Sequence, residues 1–572
     1  MLFIKKSSIL LLLVWFCSSS FWALEPPTKA ELEQYAKDGS LYKRILNAYA
    51  LGNHLLAPEL AQNLRTRFER FRPAGIDIPK FEIEMPAGLP PGIRNTLKSK
   101  GTVKVFALLI SFSDYPAYGT SASIDAKIFG DGDGNWPYES LCNYYRRASY
   151  NMLEIKGVTL GWYTPAYPRS SLAQTTAARE NLIKEALTYF DNQGHDFSQY
   201  DNDGNGAIDY FLVIWTGPNN GWANFWWGYQ TTFSDQNFKL DGKSFYQTRY
   251  SWQWECRSYP GPFTASTVIH ETGHALGLPD YYDYDDTVGP RGGVGGLDMM
   301  DASRGDHNAF SKMLLDWITP QFFSYGNRAF VLGASGNTRD ALIVMPEFSS
   351  SKPLDEFFIV QNRFRAENDF FLPGDGLLIW HVDARLNSSN NFLYDNSYTE
   401  HKLLRLMEAD GQEQIEKNYA ATAADYYVQG NEFRPTAFPN SRRYDATDSG
   451  VSVYGIGPSG QSMTLTADIH YTLLPPLNPA IQRLESDFIF FKEYINKLTW
   501  QNDPKNRTEI DGHRIYKKSR GAPDAAFVLE SEVGLGILSY EHKGLKKDEF
   551  FVYRIIAVDK NGVESSAVEV SN

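Results

Sequence analysis

Cysteine is nearly missing from this chain: three residues in 572, at Cys17, Cys142 and Cys256. That excludes a disulfide-dense scaffold and a four-cysteine zinc site. Cys17 lies in the first segment, so Cys142 and Cys256 are left either to form one disulfide or to stay apart and buried. Positive charge is also scarce, with 55 Lys and Arg against 68 Asp and Glu and a net charge of −13. No long basic cluster occurs, and a nucleic-acid partner is not expected, because phosphates require a cationic footprint. After the first segment no stretch is apolar enough to span a membrane, and no repeat at a solenoid period is visible. Histidine numbers only ten, yet two of the ten stand four residues apart.

What is present is ordinary globular material, 42% hydrophobic and 22% charged, in a chain too long for one core. The opening "MLFIKKSSILLLLVWFCSSSFWALEPP" places Lys5 and Lys6 before an apolar run from Ile9 to Phe16 and then small residues. This is the layout of a secretory signal peptide, assigned to residues 1–23, and it predicts an extracellular protein. A lipoprotein signal is disfavoured because Trp15 and Phe16, just before Cys17, are bulky.

Residues 24–100 join the polar, helix-forming "KAELEQYAKDGSLYKRILNAYALGN" to a Pro/Gly-interrupted linker, which suits a propeptide. An ordinary N-terminal subdomain is the other reading. "VKVFALLISFSD" and "IDYFLVIWTG" have the apolar continuity of buried strands. "ESLCNYYRRASYNMLEIKG" predicts a helix and then a strand, and "ARENLIKEALTYFD" predicts an amphipathic helix. Together these give an α/β domain over 101–322. Beyond Pro320, "RDALIVMP", "DEFFIVQNRF", "GDGLLIWHVD", "HKLLRLMEAD" and "QSMTLTADI" are short strands between turns, expected to form a β-sandwich over 323–474. "LLPPLNPA" is a linker. In 475–572, Trp500, Tyr516 and Tyr553 stand in strand patterns and Lys560-Asn561-Gly562 makes a turn, a pattern that resembles a fibronectin type III domain. The expected class is a multidomain α+β protein.

"VIHETGHALGLPDYYD" runs from Val268 to Asp283. Positions i and i+4 share one helix face, so His270 and His274 present both imidazoles to one point. Such a pair binds Zn²⁺ at about 2.0–2.1 Å, and Glu271 beside the first can take a proton from an attacking water. A catalytic zinc has three protein ligands and an open position. A glutamate on a following helix is nearly excluded as the third, because the next glutamate is Glu347, in the β-rich region. Gly277 lets the helix stop with positive φ and the chain turn back, which makes Asp280 the preferred third ligand. His307 in "GDHN" competes with it. A histidine in place of Asp280 would complete the metzincin pattern, whose methionine turn has a candidate in "GGVGGLDMMDASRG" at Met299 and Met300. Two methionines could equally fill core.

A second constellation is "YDNDGNGAIDY", where Asp201, Asp203 and Asn205 alternate, Gly206 permits a sharp turn and Asp209 occupies position nine of a calcium loop. Position twelve is Leu212, and a strand follows, so a structural Ca²⁺ site is expected rather than a sensor. Asp283, Asp285 and Asp286 could hold another ion or be a solvated loop. His381, on a strand, is given no role. Tyr281 and Tyr282 could face the cleft.

"HETGHALGLPDYYD", "GGLDMMD", "AFSKMLLDWITP", "LCNYYRRASYNMLEIKG", "DNDGNGAIDYFLVIWTG", "FFIVQNRF" and "GDGLLIWHVD" together resemble the immune inhibitor A family of secreted bacterial metalloproteases, over about residues 100 to 470. The resemblance implies a metzincin-like fold, with zinc on His270, His274 and Asp280. It also implies Glu271 as general base, Met300 in the methionine turn, and a secreted endopeptidase made as a zymogen and acting on proteins or peptides. The fibronectin-like tail departs from simpler members. The competing function is a non-catalytic adhesion or glycan-binding protein with a protease-like domain, against which an intact Glu271 argues. An exopeptidase would need a charged pocket for a substrate terminus.

Overall fold

The apolar run Val103 to Ile110 lies in a strand covered on both faces, which is why it lacks the alternation of a half-solvated strand. In this computed structural model the residues described are 27, 29–61, 96–134, 136–285, 292–345, 355–387, 392–396, 401–417, 419–487, 492–506 and 508–572. The signal segment, most of the linker after residue 61, Asp286 and Glu347 fall outside them.

Strand β1 (Gly101–Ile110) pairs in parallel with β2 (Leu153–Tyr163) and β3 (Tyr210–Trp215). β4 (Tyr229–Thr232) and β7 (Arg249–Trp254) complete a sheet of order β2-β1-β3-β7-β4, with β4 antiparallel at one edge. A small hairpin of β5 (Lys239–Leu240) and β6 (Lys243–Ser244) lies between them in sequence. The sequence reading contained no strand at "RYSWQW", whose three aromatic residues are all buried in the structure.

One face of this sheet carries the helices Leu141–Ala148 and Ser266–Ala275 in a common apolar core. The other face packs the helix Thr176–Asn192 over aromatic rows, with Phe106 stacked on Phe211 at 5.0 Å and Phe211 on Tyr250 at 5.2 Å. Ser140 and Thr175 start two of these helices by accepting from the backbone N–H of Asn143 and Ala178.

Two further sheets follow. β8 (Gln321–Phe323), β10 (Leu342–Val344), β11 (Glu356–Arg363), β12 (Gly376–Asp383) and β13 (Leu404–Leu406) form one, in the order β13-β12-β11-β10-β8. β9 (Gly326–Gly333), β14 (Val451–Tyr454) and β15 (Ser462–Ile469) form the other. The period of two divides the five-stranded sheet between two cores. Leu342, Val344, Phe358 and Val360 face the three-stranded sheet, whereas Ile343, Ile359, Leu378 and Trp380 join the core that holds the helix Ser266–Ala275. The sheet is therefore continuous with the body that carries the histidines.

The last part pairs β16 (Leu477–Asp487), β17 (Lys492–Gln501) and β20 (Ser539–Leu545) in one sheet. β18 (Ile510–Ser519), β19 (Val528–Gly534), β21 (Phe551–Asp559) and β22 (Val568–Ser571) form the second, around Leu498, Trp500, Ile515, Tyr553 and Ile555. Gly562, at φ 77°, closes the turn expected there.

At the other end, the helices Lys29–Lys37 and Leu41–Leu51 pack onto the body. Tyr35, Ile45 and Ala48 enter the aromatic core, while Leu56, Leu60 and Ala61 enter the core of the histidine helix. Cys142 is buried, Cys256 is partly exposed, and both are free thiols. No helix among the described residues is long and apolar enough to cross a membrane.

Candidate metal centre

The helix Ser266–Ala275 is buried along its whole length and places His270 and His274 with ring centroids 4.9 Å apart. It stops where Gly277 adopts φ 102°, with Gly277 N–H donating to the His274 carbonyl and Leu278 N–H to the Gly273 carbonyl. A residue with a side chain is strained at that φ. The reversal carries Asp280 back to the two rings, its Oδ1 lying 3.0 Å from His270 Nε2 and 3.3 Å from His274 Nε2.

The proton positions of the imidazoles follow from their other nitrogens. His270 Nδ1 lies 2.8 Å from the carbonyl oxygen of Met299, and His274 Nδ1 lies 2.8 Å from that of Leu278. A carbonyl only accepts, so each Nδ1 carries the hydrogen and each Nε2 presents a bare lone pair. With both rings neutral, two lone pairs and a carboxylate oxygen converge on one point. That donor set fits a divalent cation such as zinc, with backbone carbonyls fixing the rings from behind.

Glu271 stands beside them, fully buried, and neither of its carboxylate oxygens has a hydrogen-bond partner. Burial pushes its carboxyl up to about 8, with the charge of His270 opposing and that of Asp280 adding. Burial also raises Asp280, but the charge of His274 and the contacts with both rings outweigh it and hold this carboxyl well below the usual range.

Met300 lies under the helix: its Sδ is 2.3 Å from where a Cβ on Gly273 would stand. Asp298 holds the turn by accepting from Met300 N–H at 2.7 Å and Asn308 N–H at 2.6 Å, and Asp301 accepts from Gly296 N–H at 2.6 Å. His307 is buried among Tyr144, Tyr145 and Trp317, its ring nitrogens unpartnered, and it lies outside the group formed by His270, His274 and Asp280.

One expectation changes on inspection. Tyr281 donates to or accepts from Ser311 Oγ at 2.7 Å, and Tyr282 is packed against Tyr284, so both rings are buried in packed surroundings. Tyr284, which sequence reasoning passed over, donates to Asp280 Oδ2 at 2.5 Å and orients the carboxylate. Asp283 accepts from Asp285 N–H as a local turn. His381 pairs with Glu356 and stacks on Tyr444. A tyrosine four residues beyond Asp280 was the only signal available for Tyr284.

The chain from Asn53 to Leu60 lies against this turn. Asp280 N–H donates to the Asn53 carbonyl at 2.8 Å, and Ala57 N–H donates to the Gly277 carbonyl at 2.9 Å. A Cβ on Gly277 would meet Ala57 at 2.9 Å. A groove of about 630 Å³ runs alongside, lined by Asn53, Leu56, Pro58, Arg249, His274 and Gly277.

In the second constellation, one carboxylate oxygen each from Asp201, Asp203 and Asp209 lies within 4.8 Å of the others. Asn205 lies against that group: its amide donates to Asp203 Oδ2 at 2.9 Å and its oxygen accepts from Ala207 N–H at 2.8 Å. Lys243 Nζ lies 2.7 Å from Asp201 Oδ2. Burial pushes Asp209 up to about 6, against hydrogen bonds from Asn202 and with the charges of Asp203 and Asp201 adding.

No family model matches the chain. Over 233 residues it is 25% identical to Immune inhibitor A of Bacillus thuringiensis subsp. alesti, covering 32% of this chain and 34% of that protein. It is 26% identical over 233 residues to the pre-pro-metalloprotease PrtV of Vibrio cholerae serotype O1 (strain M66-2), covering 32% of this chain and 25% of that protein. Among solved structures, a Fn3-like protein from Clostridium thermocellum is matched at 18% identity and a TM-score of 0.14, over 18% of this chain and 92% of its own. That score carries no argument. The chain spans about a quarter to a third of the length of the curated relatives it matches, which are distant and include a metalloprotease by name.

Proposed function

We propose that this chain is an exported zinc endopeptidase of the immune inhibitor A kind, made as a latent precursor. The observation that carries the reading is the convergence of two lone-pair Nε2 atoms and Asp280 Oδ1 beside a buried, unpartnered Glu271. His270, His274 and Asp280 would hold the zinc, which when bound polarises the scissile carbonyl and acidifies the attacking water. Glu271 takes the proton of that water and delivers it to the leaving amine. Release of the segment around Asn53 to Pro58, which walls the groove beside His274, would open the room a peptide needs. The catalytic part is metzincin-like, with Met300 beneath the helix, and the final sheets of three and four strands are a fibronectin type III-like domain. Residues 1–23 act as signal peptide and 24–100 as propeptide. Incubating the matured protein with a mixed peptide library, with and without a zinc chelator, tests the activity. Cleavage unaffected by the chelator overturns it.

The ligand set makes a separate prediction. Asp280→Ala removes one of three ligands and should lower zinc affinity by more than the ~10–100-fold that loss of an orienting partner costs. Tyr284→Phe should fall within that smaller range, and His307→Ala should leave zinc content unchanged. Metal stoichiometry and chelator competition read all three. Zinc loss confined to His307→Ala would reverse the assignment.

We also assign a structural Ca²⁺ to the loop of Asp201, Asp203, Asn205 and Asp209, with Lys243 displaced from Asp201 when the ion binds. An ion there pins the start of β3 at the centre of the sheet. At a hundredfold excess over the dissociation constant, binding to the folded state adds about 2.7 kcal/mol. Calcium should raise the melting temperature of the wild type, and Asp203→Ala should lose most of that rise while keeping its zinc. An equal shift in both proteins would mean the loop is only a turn.

A further inference from the structure

Away from both of these constellations, β13 ends at Leu406 and the chain bends through Glu408, Asp410 and Gly411, the last at φ 68°. Asp425 meets this bend from a separate short helical turn, and its carbonyl accepts from Ala409 N–H at 3.2 Å. One carboxylate oxygen of each acid lies within 4.8 Å of the others. Glu408 is 3% exposed and Asp425 1%, while Asp410 is half-buried at the rim.

We propose that Glu408, Asp410 and Asp425 form a calcium site that clamps the segment supporting the glycine-rich methionine turn. The hydrogen bonds in the cluster account for only part of its acceptors. Glu408 Oε2 accepts from Gln414 N–H at 2.7 Å and Oε1 from Ile415 N–H at 3.1 Å. Asp410 Oδ1 accepts from Gln412 N–H at 2.9 Å, and Asp425 Oδ2 from Thr422 N–H at 2.6 Å. Asp425 Oδ1 is left buried with no partner. Among the described residues no lysine or arginine pairs with any of the three. A buried acceptor without a donor is costly, and more so when charged.

The electrostatics agree. Burial pushes Glu408 up to about 7, with the Gln414 hydrogen bond opposing and the charge of Asp425 adding. The donors are all oxygens, which selects a hard cation over zinc or copper. The half-buried rim at Asp410 leaves room for water in an irregular shell, as Ca²⁺ accepts and Mg²⁺ does not.

The position of the segment gives the ion a task. Between Glu408 and Asp425 the chain carries Ile415, whose carbonyl oxygen lies 1.8 Å from where a Cβ on Gly292 would stand, and Ala421, whose N–H donates to the Gly295 carbonyl at 2.8 Å. Glu416 pairs with Lys402 at 2.9 Å, and Lys402 donates to the Gly293 carbonyl at 3.1 Å. The segment thus seats the turn leading to Met300 from below, and a cation at its two ends fixes it there.

The test uses the full chain, stripped of calcium and titrated with Ca²⁺ by equilibrium dialysis and calorimetry. Asp410→Asn/Asp425→Asn should bind one Ca²⁺ equivalent fewer than its parent, both in the wild type and in the Asp203→Ala background. Asp410→Asn alone, at the rim, should keep the fold by circular dichroism and weaken one Ca²⁺ site at least tenfold. Calcium should also slow proteolysis between 408 and 425 in the wild type and not in the double variant. Unchanged stoichiometry overturns the proposal.

Discussion

Glu271→Gln is expected to lower peptide hydrolysis by about 10²–10⁴-fold or more while bound zinc stays near one per chain. The two readouts separate because Glu271 is not one of the three converging atoms. Its oxygens are buried with no hydrogen-bond partner, whereas His270, His274 and Asp280 meet one another. Gln keeps the shape of the side chain and removes the ability to accept a proton. The same substitution removes a buried carboxyl whose ionisation burial opposes, so the melting temperature should not fall. Loss of zinc in this variant would make Glu271 a ligand, and full turnover would remove it from the chemistry.

Cutting the folded chain between its N-terminal segment and β1 is expected to raise activity by about 10²-fold. Asn53, Ala57 and Leu60 lie on the turn that carries Asp280, held by two backbone hydrogen bonds and by packing against Gly277. If releasing the segment costs about 2.7 kcal/mol, only about 1% of molecules are open at a time, and apparent activity falls by that fraction. A specific protease site placed in "GLPPG", residues 88–92, allows the cut after folding, so the comparison does not depend on a truncated chain reaching the native state. Activity and N-terminal sequencing on one sample decide it. A stable chain beginning near Leu24 that is already fully active would refute latency.

The elements were legible where local physics is strong. The run at β1 and the helix Thr176–Asn192 follow from apolar continuity and period. The stop at Gly277 follows from the one residue that adopts φ 102° without strain. β7 was not read, although "RYSWQW" alternates polar and aromatic residues at the period of a strand. The histidine pair and Glu271 were readable because a helix fixes i and i+4 on one face whatever surrounds it. The residues taken alone favoured Asp280 over His307 without deciding between them, since both follow the helix at distances a loop can span.

The sequence by itself supplied the candidate donors: two histidines at helical spacing, a glutamate beside one, a glycine that reverses the chain and an aspartate after it. Their spacing is short, so backbone geometry alone brings them near one another. Tertiary structure decided everything that depends on distant chain. It fixed the His270 ring through the carbonyl of Met299 and seated Asn53 to Leu60 over the turn. It also brought Glu408 and Asp425 together across a loop and fused one face of the five-stranded sheet to the histidine core. These contacts join residues far apart in the chain, and their partners are chosen by burial and by the need to satisfy buried polar groups, which no local window of sequence contains.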